Sequence, residues 1–97
     1  MKTLFIAYNQ AFNMEIADIL EEQGCRGYTM WREITGRGSV TGDPHEGTHA
    51  WPTLNNAMLA VVDDDKVDAI FEKLYEKDHE FEKLGLRAFM WNVERSY

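Results

Sequence analysis

A single cysteine in 97 residues leaves no intramolecular disulfide to build on, which fits a chain folded in a reducing, cytoplasmic compartment. Cys25 has no motif around it and reads as a small residue at a helix-to-strand turn. No apolar run approaches the ~20 residues of a membrane helix. The start, Met1-Lys2-Thr3-Leu4-Phe5-Ile6-Ala7, runs straight into polar Tyr8-Asn9-Gln10, so neither a secretory leader nor membrane insertion is expected. Basic residues are scarce: ten Lys and Arg stand against 17 Asp and Glu, a net charge of −7. They are scattered singly among acids, and without a basic stripe such a chain repels nucleic acid. What is present is 44% apolar with 12% aromatic residues, enough for one domain spanning residues 1–97 around one modest core.

The elements follow from apolar spacing and from turn residues. Thr3 to Tyr8 is an unbroken apolar strand. Phe12, Ile16, Ile19, Leu20 and Gln23 then share one helical face, with Asn13 expected as N-cap and Gly24 at the left-handed stop. A second strand is expected from Gly27 to Thr35 and a third from Asn56 to Val62. Asp63-Asp64-Asp65 reads as the cap of a second helix, Lys66 to Glu80, which buries Val67, Ile70, Phe71 and Leu74. The calcium-loop alternative for the three aspartates lacks the EF-hand ligand spacing and closing Glu. Gly85 opens a fourth strand, Leu86 to Val93.

The order β-α-β-β-α-β specifies an α+β, ferredoxin-like sandwich: a four-stranded antiparallel sheet with two helices on one face. Two helices cover one side only. Yet strands one, three and four are apolar at both alternating sets of positions, the pattern of strands buried on both sides. An uncovered face of that kind is a liability for a monomer, so burial of the second face by oligomerisation is expected.

Between strands two and three the composition changes. Residues 36–52 hold four glycines and two prolines in 17 residues, so a long functional loop is expected over about 36–55. Within it His45-Glu46-Gly47-Thr48-His49 matches the H-E-x-x-H zinc-protease signature letter for letter. That chemistry needs a helix to put both imidazoles on one face. Gly47 at its centre and Pro44 and Pro52 on either side exclude the helix, and no third ligand follows. Two readings remain: a transition-metal site using His45, Glu46 and His49, with Asp43 nearby, or a solvated polar loop. Trp51 beside Pro52 either anchors the loop against a neighbouring subunit or stacks on a ligand ring. His79 near the end of the second helix complements the helix dipole.

Four stretches resemble the nitrogen-regulatory PII family and its PII-like relatives. They are Gly24-Cys25-Arg26-Gly27-Tyr28-Thr29, Thr35-Gly36-Arg37-Gly38 at the mouth of the loop, Val61 through Ile70, and Ala88-Phe89-Met90-Trp91-Asn92-Val93-Glu94. They occur in family order over nearly the whole chain. The resemblance implies a homotrimer whose sheets line a central core, with small effectors in clefts between subunits. It also implies a loop, the T-loop of the family, that touches a target protein such as a transporter or enzyme. By residue, it assigns ligand binding to Thr29, Gly36, Arg37 and Gly38, with an adenine nucleotide as the family ligand. Glycines let backbone amides approach phosphate, and Arg37 supplies charge-assisted bonds; the Gly-x-Gly run also fits a plain turn.

The chain departs from classical members in several places. Strand two is one residue longer than the family pattern, which implies a bulge, and the loop is shortened. Glu80-Phe81-Glu82-Lys83-Leu84-Gly85 replaces a glycine-rich basic phosphate loop, and the C-terminal extension is missing. These differences resemble the non-classical PII-like branch and put ATP itself in question. They also resemble the metal-tolerance CutA proteins, so the alternative is a CutA-like protein that takes a divalent transition metal on His45, Glu46 and His49. No Ser-His-Asp or Cys-His set has supporting context, and an enzyme is not expected.

Overall fold

The computed structural model describes residues 1–37, 44–47 and 53–97. Strand β1 (Lys2–Asn9) leads through a 3-10 turn (Gln10–Phe12) into helix α1 (Asn13–Glu22), and strands β2 (Thr29–Ile34) and β3 (Asn55–Val62) follow. A second 3-10 turn (Asp64–Lys66) opens helix α2 (Val67–Glu80), and strand β4 (Arg87–Asn92) completes the order. The sheet is antiparallel in the order β2-β3-β1-β4. This is the expected ferredoxin-like arrangement, with β1 and β3 in the centre and β2 and β4 at the edges.

Side-chain alternation decides what is buried. Leu4, Ile6 and Tyr8 of β1 are fully enclosed, and register sets Leu4 opposite Ala60 and Met90, and Ile6 opposite Met58 and Ala88. Against this face α1 packs Ile16, Ile19 and Leu20, while α2 packs Val67, Ile70 and Leu74. Leu84 and Leu86, ahead of β4, close the same core. Each helix thus buries one stripe at three- and four-residue spacing and leaves most of its acids in solvent, Glu15 and Asp78 being half-buried.

Helix ends differ in detail from the sequence reading. The polar cap at the start of the first helical segment is Asn9, whose Oδ1 accepts the Ala11 amide at 3.0 Å. Asn13 is instead the first residue of α1, and its side chain is used elsewhere. None of Asp63, Asp64 and Asp65 caps α2 through its carboxylate; the Asp63 carbonyl accepts the Lys66 amide at 3.0 Å to form the 3-10 turn. Asp64 meets the Met1 ammonium at 2.9 Å, a hydrogen bond and charge that hold its carboxyl below the usual range. Gly24 does take the left-handed stop position, with φ +76°, and the amides of Gly24 and Cys25 return to Glu21 and Leu20 at 2.9 Å each.

Strand β2 is shorter at both ends than expected, and it carries the expected extra residue. Trp31 pairs with Ala57 and Ile34 with Asn55, so Arg32 and Glu33 together oppose Asn56. Glu33 lies in the left-handed region at φ +56°. Such a bulge locally bends the strand and increases its twist.

The second face of the sheet carries Phe5 and Ala7 from β1, Leu59 and Val61 from β3, Trp31 from β2, and Phe89 and Trp91 from β4. In the chain alone Phe89 is 56%, Trp91 49%, Val61 47% and Trp31 45% exposed. Phe5 and Trp31 already contact each other edgewise, with ring centroids 6.5 Å apart. No helix among the described residues is long and apolar enough to cross a membrane.

Candidate ligand and loop site

The segment between β2 and β3 is tied down twice. Gly36 and His45 exchange both backbone hydrogen bonds, Gly36 N–H to His45 O at 2.8 Å and His45 N–H to Gly36 O at 2.6 Å. Further on, the Gly47 amide donates to the Thr53 carbonyl at 3.2 Å, and the Gln10 amide to Leu54 O at 3.0 Å. The segment expected as one long loop is therefore drawn together at two points, Gly36 with His45 and Gly47 with Thr53. Pro44 and His45 are buried.

His45 is the clasp. It is only 9% exposed, and its Nδ1 donates to Oδ1 of Asn55 at the start of β3. Two glycines make room for this pair. A Cβ on Gly36 would lie 2.8 Å from Asn55 Nδ2, and one on Gly85 would lie 3.0 Å from His45 Cε1. Gly85 has φ +59°, so both its backbone angle and its neighbour demand glycine. Asn9, opposite Asn55 across the sheet, donates from Nδ2 to Lys83 O at 3.0 Å, and its amide donates to Leu84 O at 2.9 Å. The loop base, β3 and the turn before β4 are thus joined at one end of the sheet through buried amides.

A second polar chain runs beneath the bulge. The Glu33 amide donates to Asn56 Oδ1 at 3.1 Å, and Asn56 Nδ2 donates to Asn13 Oδ1 at 3.1 Å. The hydroxyl of Tyr8 donates to the same Asn13 oxygen at 2.5 Å. Burial pushes the Tyr8 hydroxyl up from 10.0 to about 12, against a smaller lowering by the Asn56 side chain. Cys25 is likewise pushed up by burial, and its Sγ points to the Gln23 carbonyl at 3.8 Å.

The expected site residues are distributed as follows. Gly36 lies at the loop base with its amide committed to His45, and Arg37 beside it is exposed. Among the described residues Arg37 enters none of the ion pairs, which join Met1 to Asp64, Lys73 to Glu76 and Lys77 to Glu80. Thr29 is exposed at the opposite end of β2, paired with Leu59, four residues along β3 from the Asn55 that pairs with Ile34, roughly 13 Å at the usual rise per residue. Within one protomer the structure therefore does not bring Thr29 to Arg37. Gly38, His49 and Trp51 lie outside the described residues, as does Asp43. Glu46 is exposed next to the buried His45. Among the described residues no three His, Cys, Asp or Glu side chains converge as a metal site.

Sequence reasoning missed Asn9, Asn55 and Asn56, and gave Asn13 a capping role in place of its bonds to Tyr8 and Asn56. The signal was there: two adjacent asparagines opening an otherwise apolar strand are out of place in a core unless both amides are satisfied.

Comparisons with known proteins agree with this architecture. A protein-family profile described as nitrogen regulatory protein P-II matches residues 1–97. Among solved structures, the chain is similar to CPII, a nitrogen regulatory PII-like protein from Thiomonas intermedia K12, in its complex with ADP, AMP and bicarbonate. The identity is 21% and the TM-score 0.74, over 97% of this chain and 88% of that one. The apo form of CPII matches at 20% identity and TM-score 0.68, over 98% and 92% of the two chains. A protein from Thermus thermophilus, described as a PII-like signalling protein, matches at 20% identity and TM-score 0.68, over 95% and 85%. No curated protein sequence matches the chain. At these identities the structures share a fold with this chain, and the profile over its full length assigns the family: the chain belongs to the nitrogen regulatory protein P-II family.

Proposed function

We propose that the chain is a non-classical, trimeric PII-like regulatory protein of the cytoplasm that binds a small effector between subunits and acts on a target protein through its loop. The observation that carries this reading is the Gly36–His45 pairing, which sets exposed Arg37 at the root of an anchored loop. A guanidinium held there suits a phosphate or carboxylate. The role of Gly36 is to admit Asn55 and to close the loop base, since its own amide is taken. An adenine nucleotide suits the Arg37 cation; CPII, of the same fold, is solved with ADP, AMP and bicarbonate. Gly38 and Thr29 complete the proposed site, Thr29 from a neighbouring subunit, because it lies too far from Arg37 within one chain. The apolar second face, bearing Phe5, Leu59, Phe89 and Trp91, supplies the subunit contact. The reading is of a binding module rather than an enzyme, in keeping with the regulatory family to which the chain belongs.

The test is a thermal-shift panel with ADP, AMP and bicarbonate, alone and combined, on protein whose mass is measured by light scattering. An effector at 100 times its dissociation constant adds about 2.7 kcal/mol of stability. A shift with a nucleotide that is lost in Arg37→Ala, on a particle of three-chain mass, supports the reading. A monomer, or a melting temperature unmoved by all three compounds, overturns it.

A further inference from the structure

We infer that Asn56 is a positioning residue for the effector site: by holding the Glu33 bulge it sets the face of the sheet from which Gly36 and Arg37 emerge. This rests on the function proposed above. Without the bulge, Glu33 would oppose Asn55 and Ile34 would oppose Leu54. With it, Ile34 opposes Asn55, and every later residue of β2 changes face. The bulge therefore decides on which side of the sheet Arg37 begins, and it lets Gly36 meet His45 where Asn55 can receive the His45 ring.

The bulge does not hold itself. Glu33 carries a side chain in the left-handed region, φ +56°, which L-residues disfavour. Its amide, turned away from the regular ladder, donates to Asn56 Oδ1 at 3.1 Å. Asn56 is 2% exposed and is itself oriented by its bond to Asn13, the first residue of α1, which Tyr8 holds from the other side. A buried side chain that replaces a ladder bond at an irregularity fixes that irregularity, because the part-buried amide would otherwise lose its protein partner.

The experiment compares ADP affinity by calorimetry, and the rate of tryptic cleavage after Arg37, in wild type, Asn56→Ala, Asn56→Ala with Glu33→Gly, and Ile70→Val. Ile70→Val lowers stability from the far side of the core and controls for stability alone. Expected are a loss of about tenfold or more in ADP affinity and faster cleavage for Asn56→Ala, with both restored by Glu33→Gly, since glycine takes the left-handed angle without support. Asn56→Ala binding ADP as wild type does, or behaving like Ile70→Val in both readouts, overturns the inference. If Asn56→Ala does not fold, Asn56→Ser, whose hydroxyl is too short to span to Glu33, is read in its place. If wild type itself ignores ADP, the nucleotide reading fails; the cleavage comparison then decides the role of Asn56 alone, and equal rates overturn it.

Discussion

Replacing Tyr8 by phenylalanine tests the buried amide chain directly, because the hydroxyl has a measurable proton linkage. Tyr8 is fully buried, and its hydroxyl donates to Asn13 at 2.5 Å. Removing one such bond costs about 1 kcal/mol at neutral pH. The linkage runs the other way at alkaline pH. Tyrosine is neutral when protonated, and its pKa rises from 10.0 in the unfolded chain to about 12 in the fold. The unfolded chain therefore releases this proton first. Stability from the shift is whole below pH 10 and is lost as the pH climbs toward 12. At pH 11 the loss is about 1.4 kcal/mol, one pH unit past the unfolded value at about 1.4 kcal/mol per unit. Wild type should thus be more stable than Tyr8→Phe by about 1 kcal/mol at pH 8, and the two should be nearly equal at pH 11. Urea unfolding followed by far-ultraviolet circular dichroism, at one protein concentration, reads both values. All other groups are common to both proteins and cancel in the difference. A gap that stays constant from pH 8 to 11 would refute burial of the hydroxyl and its bond to Asn13.

Two further outcomes follow from the loop base and the open face. Gly85→Ala must place a Cβ at φ +59° and 3.0 Å from His45 Cε1. The angle alone costs about 1–2 kcal/mol, so Tm should fall by roughly 5–10 °C and trypsin should cut faster after Arg37. Gly24→Ala, at φ +76° with nothing within 4 Å, carries the angle cost without the contact; an equal effect on tryptic cleavage would show that Gly85 does not control the clasp. Phe89→Glu puts a charge on the exposed apolar face and should convert the assembled protein to monomer in light scattering. An unchanged mass would place the subunit contact elsewhere.

The fold was legible because its two periods are clean. Leu4, Ile6 and Tyr8 alternate along β1, and Ile70 and Leu74 repeat along α2, so burial follows from geometry that any strand or helix obeys. The apolar character of the second face was readable from the same alternation. Caps were harder. Asn9, Asn13 and the three aspartates all have side chains that can cap, and the choice among them depends on how the 3-10 turns Gln10–Phe12 and Asp64–Lys66 lead into the helices. The candidate site was the least legible part. The letters of His45 and Glu46 suggested ligands, but no local signal showed that Nδ1 of His45 bonds Asn55, a residue ten positions away. The bulge was foreseen from an extra residue in β2, but its partner, Asn56, was not, because cross-strand side-chain contacts depend on register rather than on neighbours in sequence.

The two polar chains share a strand, and on the function proposed above this would tie binding to assembly. Asn55 faces the open side of the sheet and holds the loop clasp; Asn56, the next residue, faces the helices and holds the bulge. Loop position is therefore referenced to both faces of β3 at one point. Four residues beyond Asn55, Leu59 pairs with Thr29 and lies opposite Phe5 on the apolar face proposed as the subunit contact. On that reading Thr29 and Arg37 serve one ligand only when two protomers meet, so nucleotide affinity should disappear together with assembly in Phe89→Glu. Strand β3 would carry that coupling: its eight residues run from the clasp to the proposed contact, each paired in register with β1, so an effector at the loop end and a subunit on the open face would act on the same strand.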